Sequence, residues 1–422
     1  MSRLAGYRNY VLLSAYVFCF FFAQAASISL LSIWLTQSLH LNGVQVGTVF
    51  SANFVAAMIS QPIYGYVLDR MGFRRSVPVA IALLVMLAGF FFSFVYAPLL
   101  KANILLGAMV GGAYIGVTFV AGSYAIESYV DRVSRRDGFE YSRARLWGSL
   151  GFASAALFSG RLYNVDPRIN FFLASAAGLL LLPLILSARI DAARDDGAKA
   201  RASLKPADSL AILKLPKFWG FMVLILGVTN LYLVYDQQFP FYFSSMFPTR
   251  ETGNAMFGYL NSAQIFVEAG MMFVAPLIVR RTGATRGLLL ASGIMIVRIA
   301  ASGLAVGPVT ISMCKMLHSL ELPILAVSIF RYIAHHFAAH LSSTIYLVGV
   351  SFGHSLGLAL LSPVAGAFYD HIGFQRTYFL IAGFALVFWL LSLFVLAPTP
   401  PEARPRRMAA PIPQSFGGTE TI

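Results

Sequence analysis

Long intervals of this chain contain no Asp, Glu, Lys or Arg. They run from Arg8 to Asp69, Arg75 to Lys101, Lys101 to Glu127, Arg168 to Arg189, Arg331 to Asp370 and Arg376 to Glu402. A helix needs about 20 apolar residues to cross the hydrocarbon core of a bilayer. The apolar runs predict twelve spans. Six lie at about 10–35, 46–68, 77–97, 103–129, 144–163 and 169–188. Six more lie at about 218–245, 255–279, 287–306, 309–333, 342–369 and 377–397. The first run, Tyr10 to Leu35, exceeds the ~7–15 apolar residues of a secretion signal and reads as a retained span.

The spacing of the spans predicts an all-α membrane protein of twelve transmembrane helices in two six-helix bundles. The bundles are 1–188 and 218–397, joined by a polar cytoplasmic linker, 189–217. The Pro- and Arg-rich tail, 398–422, reads as disordered and cytoplasmic.

Composition agrees. The chain is 58% hydrophobic and 11% charged, against about 25% charged in soluble domains. Its formal charge of +14 would suggest nucleic-acid binding in a soluble chain. Here position decides. With the N-terminus inside, 23 of the 31 basic residues fall in cytoplasmic segments and 5 in outer ones, leaving 3 within spans. That bias places both termini in the cytoplasm of a multi-pass inner-membrane protein. The partner surface is lipid, and no nucleic acid is expected. Cys19 and Cys314 lie in apolar runs and read as small packed hydrophobes, with no disulfide or metal site implied.

Gly65-Tyr-Val-Leu-Asp69-Arg70-Met-Gly72-Phe-Arg74-Arg75 joins spans 2 and 3. A weaker copy, Arg280-Arg281-Thr-Gly283-Ala-Thr-Arg286, joins spans 8 and 9. At that loop of a twelve-span chain the pattern resembles the signature of the major facilitator superfamily. The resemblance implies parallel repeats with a substrate site at their interface, near the membrane midplane.

Ionisable side chains inside spans are costly and usually line a cavity or a proton path. Four acids lie there: Glu127, Asp236, Glu268 and Glu321. Three bases join them, Arg145, Arg298 and Lys315, with His318 and His354. On span 10, Lys315, His318 and Glu321 are three residues apart and share one helical stripe. An apolar setting favours a protonated Glu321, and a nearby Arg298 favours release of that proton. The alternative is an ion-pair network that only fixes helix packing. The density of ionisable groups at membrane depth favours function.

Lys315-x-x-His318-x-x-Glu321, with Asp236-Gln237-Gln238-Phe239 on span 7, resembles the lactose permease and sucrose permease group of oligosaccharide–proton symporters. So does the stretch holding Ala125-Ile-Glu127, Val133-Ser-Arg135-Arg136, Phe139-Glu140 and Arg143-Ala-Arg145. The resemblance runs from Ile33-Trp34-Leu35 to Ile372-Gly373-Phe374-Gln375, nearly the whole chain. It implies a transporter rather than an enzyme, with no cofactor beyond the co-transported proton, working as a monomer.

By this resemblance, Glu127 and Arg145 are the acid and arginine that pair and bind sugar hydroxyls. Phe152 stands where the family stacks an aromatic ring on the sugar, although a core phenylalanine fits there equally. Glu321 matches the proton carrier and Arg298 its modulating arginine. His318 matches the histidine linking sugar and proton, and Tyr232 belongs to the same network. Asp236 and Lys315 match an interhelical charge pair.

There are departures. A second charge pair of lactose permease falls on Leu233 and His354 and is absent. Its span-8 glutamate corresponds to Ile265, while Asn261, Gln264 and Glu268 supply polar groups around that helix. That segment, with Leu322-Pro323-Ile324-Leu325 and Leu341-Ser342-Ser343-Thr344, looks more like sucrose permease. Sucrose is therefore the expected substrate, with a lactose- or raffinose-type galactoside as the alternative. A drug–proton antiporter is a further alternative, which the polar site disfavours. His354 is open between a packing histidine and a sugar contact.

Overall fold

The computed structural model describes residues 3–190, 212, 214–337 and 345–400. All twelve expected spans are helices. They are α1 (Gly6–Ser38), α2 (Gly43–Leu68), α3 (Ser76–Met86 and Ala88–Ala102, bent by 42°), α4 (Ile104–Asp137), α5 (Tyr141–Val165) and α6 (Pro167–Ser187). The second set is α7 (Pro216–Ser245), α8 (Arg250–Thr282), α9 (Ala284–Gly303), α10 (Pro308–His336), α11 (Gly349–Ile372) and α12 (Phe374–Val395). Ten are individually long and apolar enough to cross a membrane, eleven with the bent α3 taken as one. The twelfth, α5, has 25 residues, but Arg143, Arg145 and Arg161 make it more polar.

Some boundaries differ from the apolar pattern. α4 continues past the expected end near 129 to Asp137, and left-handed Gly138 (φ 79°) stops it. Arg135 and Arg136 therefore sit on its last turn rather than in a loop, where cations suit the helix dipole. Most of the linker (191–211 and 213), the tail from 401 and the Leu341–Thr344 segment lie outside the described residues. The tail's first residues dock. Thr285 donates to the Ala397 carbonyl at 2.7 Å, and the His336 ring lies 2.9 Å from the Thr399 hydroxyl.

In the first half, α1 packs against α5 and α6, and α2 against α4. In the second, α10 packs against α8 and α9, and α9 against α12. The halves meet along α2 with α11 and α5 with α8. Trp34, Phe92, Tyr96 and Phe171 form an aromatic knot within the first half. The molecular surface is apolar where it would face lipid, with Phe273 and Phe394 more than three-quarters exposed. Such a surface is stable only against hydrocarbon.

π-helical turns interrupt several helices, including Gly116–Ala121 in α4 and Ile225–Thr229 in α7. Such turns often sit at functional sites. Here they precede the helical segments carrying Glu127 and Tyr232.

The α1–α5 contact leaves no room for a side chain at Gly151, where a Cβ would lie 2.2 Å from the Phe18 carbonyl oxygen. Overpacking of this kind costs about 1–3 kcal/mol. Gly151→Val is expected to lower the thermal unfolding midpoint in detergent. An unchanged midpoint would contradict this packing.

Candidate functional site

The second half gathers its polar residues around one arginine. α9 delivers Arg298, wholly buried. α7 presents Tyr232, Tyr235, Asp236 and Phe239, which share a face at three- and four-residue spacing. α10 presents His318 and Glu321, and Glu321 is also wholly buried. Arg298 Nη1 donates to Glu321 Oε1 at 2.6 Å and to the Tyr232 hydroxyl at 2.8 Å. Its Nη2 donates to Asp236 Oδ1 at 2.6 Å. One guanidinium thus serves two carboxylates. Its Cζ also lies 5.1 Å from the Tyr235 ring centroid, 5.2 Å from that of Tyr232 and 5.5 Å from that of Phe239.

His318 completes the cluster. Its Nδ1 lies 2.6 Å from Arg298 Nη1 and 3.1 Å from Glu321 Oε1, and it hydrogen-bonds the Tyr232 hydroxyl. Nδ1 can accept from Arg298 or donate to Glu321, but a single tautomer cannot do both.

The expected Asp236–Lys315 pair is not formed in this structure. Arg298 takes Asp236 instead, because its planar fork reaches both carboxylates at once. The buried Lys315 ammonium lies against aromatic rings, 5.1 Å from the Phe257 centroid and 5.9 Å from that of Phe239.

The first half holds a separate pair. Arg145 Nε donates to Glu127 Oε1 at 2.5 Å, both side chains being about one-third exposed. The guanidinium lies 4.2 Å over the Phe21 ring, with Ser149 Oγ 3.4 Å from Nη1. Phe152 is two helical turns beyond Arg145 on α5 and half-buried. On α8, Asn261 and Gln264 are buried, and Gln264 Nε2 donates to Glu268 Oε2 at 3.3 Å.

The structure thus brings Tyr232, Asp236, Arg298, His318 and Glu321 into one network. Glu127 with Arg145, and Gln264 with Glu268, stand apart from it. His354 belongs to the α7–α11 contact. Its Nε2 lies 2.8 Å from Thr229 Oγ1, which itself donates to the Ile225 carbonyl, so the histidine is the donor. Sequence reasoning missed Tyr235, Phe239, Phe21 and Ser302. Tyr235 and Phe239 had a signal, since they sit three and seven residues from Tyr232 on its face. Ser302, which bonds the Tyr235 hydroxyl at 2.8 Å, had none.

Comparison with known proteins matches residues 4–407 to the model of the LacY proton/sugar symporter family. The chain is 38% identical to the raffinose permease of Escherichia coli, covering 98% of this chain and 99% of the relative. It is 34% identical to the sucrose permease of Escherichia coli, covering 94% and 96%. It is 38% identical to a lactose permease of Klebsiella oxytoca, covering 86% and 89%. Among solved structures, the nucleoside transporter NupG superposes with a TM-score of 0.76 at 15% identity, covering 93% of this chain and 100% of the other, and so shares the fold. A near-full-length family match, together with a buried carboxylate–arginine network inside twelve helices, leaves one conclusion: this chain is a member of the LacY family of proton/sugar symporters, a transporter and not an enzyme.

Proposed function

We propose that this symporter takes up sucrose with a proton across the cell's inner membrane, as a monomer with both termini in the cytoplasm. Transport proceeds by alternating access between bundles 1–188 and 218–397, tethered by the linker 189–217.

The observation that carries the coupling is Arg298 held between Glu321 and Asp236. Protonating Glu321 removes one of its two anionic partners. Asp236 keeps the guanidinium compensated, so no lone charge is stranded in the interior, a state that costs several kcal/mol. The wider balance points the same way. Among the candidate site residues, the four acids Glu127, Asp236, Glu268 and Glu321 stand against the three bases Arg145, Arg298 and Lys315, one negative charge in excess. A single bound proton neutralises it, as a low-dielectric interior favours. His318 and Tyr232, which touch both Arg298 and Glu321, would carry news of the bound sugar to this proton. Lys315 supplies a second cation beside the network.

Sugar would bind between the halves. Glu127 and Arg145 offer acceptor and donor groups suited to paired hydroxyls, and Phe152 offers a ring face. Asn261, Gln264 and Glu268 supply the opposing wall from α8. That α8 pattern and the sucrose permease relative support sucrose. A raffinose-type galactoside is the second reading, favoured by the full-length likeness to raffinose permease. The family membership gives no support to drug antiport. In this reading His354 serves packing through Thr229 and touches sugar only if it turns away from that bond.

Glu321→Gln is expected to abolish uphill accumulation while sparing sugar counterflow. Concentrative uptake by that variant would sink the coupling assignment. In a weakly buffered cell suspension, sucrose should raise the external pH on addition. A response to raffinose or lactose with none to sucrose would instead select the galactoside reading. His354→Gln should lower thermal stability yet change the sucrose KM by less than about threefold, well under the loss of one net hydrogen bond to a charged group. A KM shift above about tenfold would place this histidine against sugar.

A further inference from the structure

Asp370 lies at the end of α11, in the second half of the molecule. Its Oδ1 accepts from the backbone N–H of Gly43 at 2.7 Å, and its Oδ2 from that of Val44 at 2.9 Å. Gly43 and Val44 begin α2, in the first half. The opening turn of a helix leaves about four N–H groups without intrahelical partners. In α2 they can be followed one by one. The Asn42 N–H meets Gln45 Oε1 at 3.0 Å, and the Gln45 N–H meets Asn42 Oδ1 at 2.9 Å. Gly43 and Val44 are satisfied by Asp370. The α2 N-terminus is thus complete only while the two halves touch.

The contact is close by construction. A Cβ on Gly366 would lie 2.1 Å from the Gly43 carbonyl oxygen, and one on Gly43 would lie 2.8 Å from Asp370 Oδ1. Glycine at both positions lets the carboxylate reach the helix end. Nearby, Gln238 Nε2 donates to the Gly43 carbonyl at 3.1 Å, which adds a second tie between the halves at the same point. Other cross-half contacts toward this face include neutral amides, such as Gln37 with Asn254 at 3.0 Å and Asn164 with the Glu251 carbonyl at 2.7 Å, and the Arg161 guanidinium 5.2 Å from the Tyr259 ring centroid. Asp370 differs in placing its charge directly on a helix end. An anion at a helix N-terminus is held by the helix dipole as well as by its hydrogen bonds.

We infer that Asp370 is the outer latch of this transporter: by capping α2 from the opposite half, it sets how often the external side opens to admit sugar. The inference rests on the orientation and the alternating-access reading proposed above. Opening the outer face must pull Asp370 from Gly43 and Val44 and leave both N–H groups to water. Closing it restores the cap. The latch therefore weights the inward/outward balance without touching sugar or proton.

The test uses full-length protein in intact cells. Ser51 lies two turns below the latch and donates to the Ala359 carbonyl at 2.5 Å across the halves. A Ser51→Cys reporter, with Cys19→Ser and Cys314→Ser, is labelled from outside by a membrane-impermeant maleimide. Asp370→Asn and Asp370→Ala should each speed labelling by about two- to tenfold, the size expected for a lost charged cap at an exposed rim. Asp370→Glu, which keeps the charge, should bring the rate back toward the parent. Equal labelling rates in the parent, Asn and Ala forms would overturn the latch. So would a drop in protein level or thermal stability with no change in rate, which is the mark of a merely structural residue. Labelling needs no sugar. If it rises in the variants while no sugar drives proton uptake, the latch stands and the symport reading falls.

Discussion

Burying a guanidinium in the middle of a membrane bundle is the constraint on which the rest of this structure turns. Arg298 has no accessible surface, and a lone cation there would be prohibitively costly. The protein compensates it from two helices, with Asp236 on α7 and Glu321 on α10. Three aromatic rings surround the charge. The cluster ties α7, α9 and α10 together. It also makes the charge state of Glu321 matter to all three, which a proton-coupled device requires.

The two halves divide the chemistry. The second half keeps Glu321 and Arg298 inaccessible, while Asp236 is partly open. The first half keeps Glu127 and Arg145 partly open, as a pair with spare hydrogen-bonding capacity suited to hydroxyls. In the proposed mechanism coupling uses both, as the halves separate and rejoin. The joints between them include glycine-lined approaches, amide pairs and a carboxylate on a helix end.

Much of this was legible in the chain itself. The apolar runs located all twelve helices, because the cost of an unpaired charge in hydrocarbon leaves a plain mark in composition. The three-residue spacing of Lys315, His318 and Glu321 placed them on one stripe, since helical geometry is local. The Glu127–Arg145 pair was expected and is formed at 2.5 Å. These features depend on helix periodicity and on the bilayer as solvent, both of which act residue by residue.

Partner choice was not legible. The sequence allowed Asp236 to pair with Lys315, and the fold gives it to Arg298, whose Nη2 lies 2.6 Å from Asp236 Oδ1. Ser302 and Phe21 entered the site only through the packing of their helices against the charged residues. His354 could not be placed until its bond to Thr229 fixed it in the α7–α11 contact. Asp370 and the α2 N-terminus lie more than three hundred residues apart in sequence and meet only because the two halves close on that face. The sequence by itself determined which segments cross the membrane and which charges they carry. The tertiary structure alone decided which charge faces which, because interhelical distance and crossing angle are properties of the packed bundle and of no single segment.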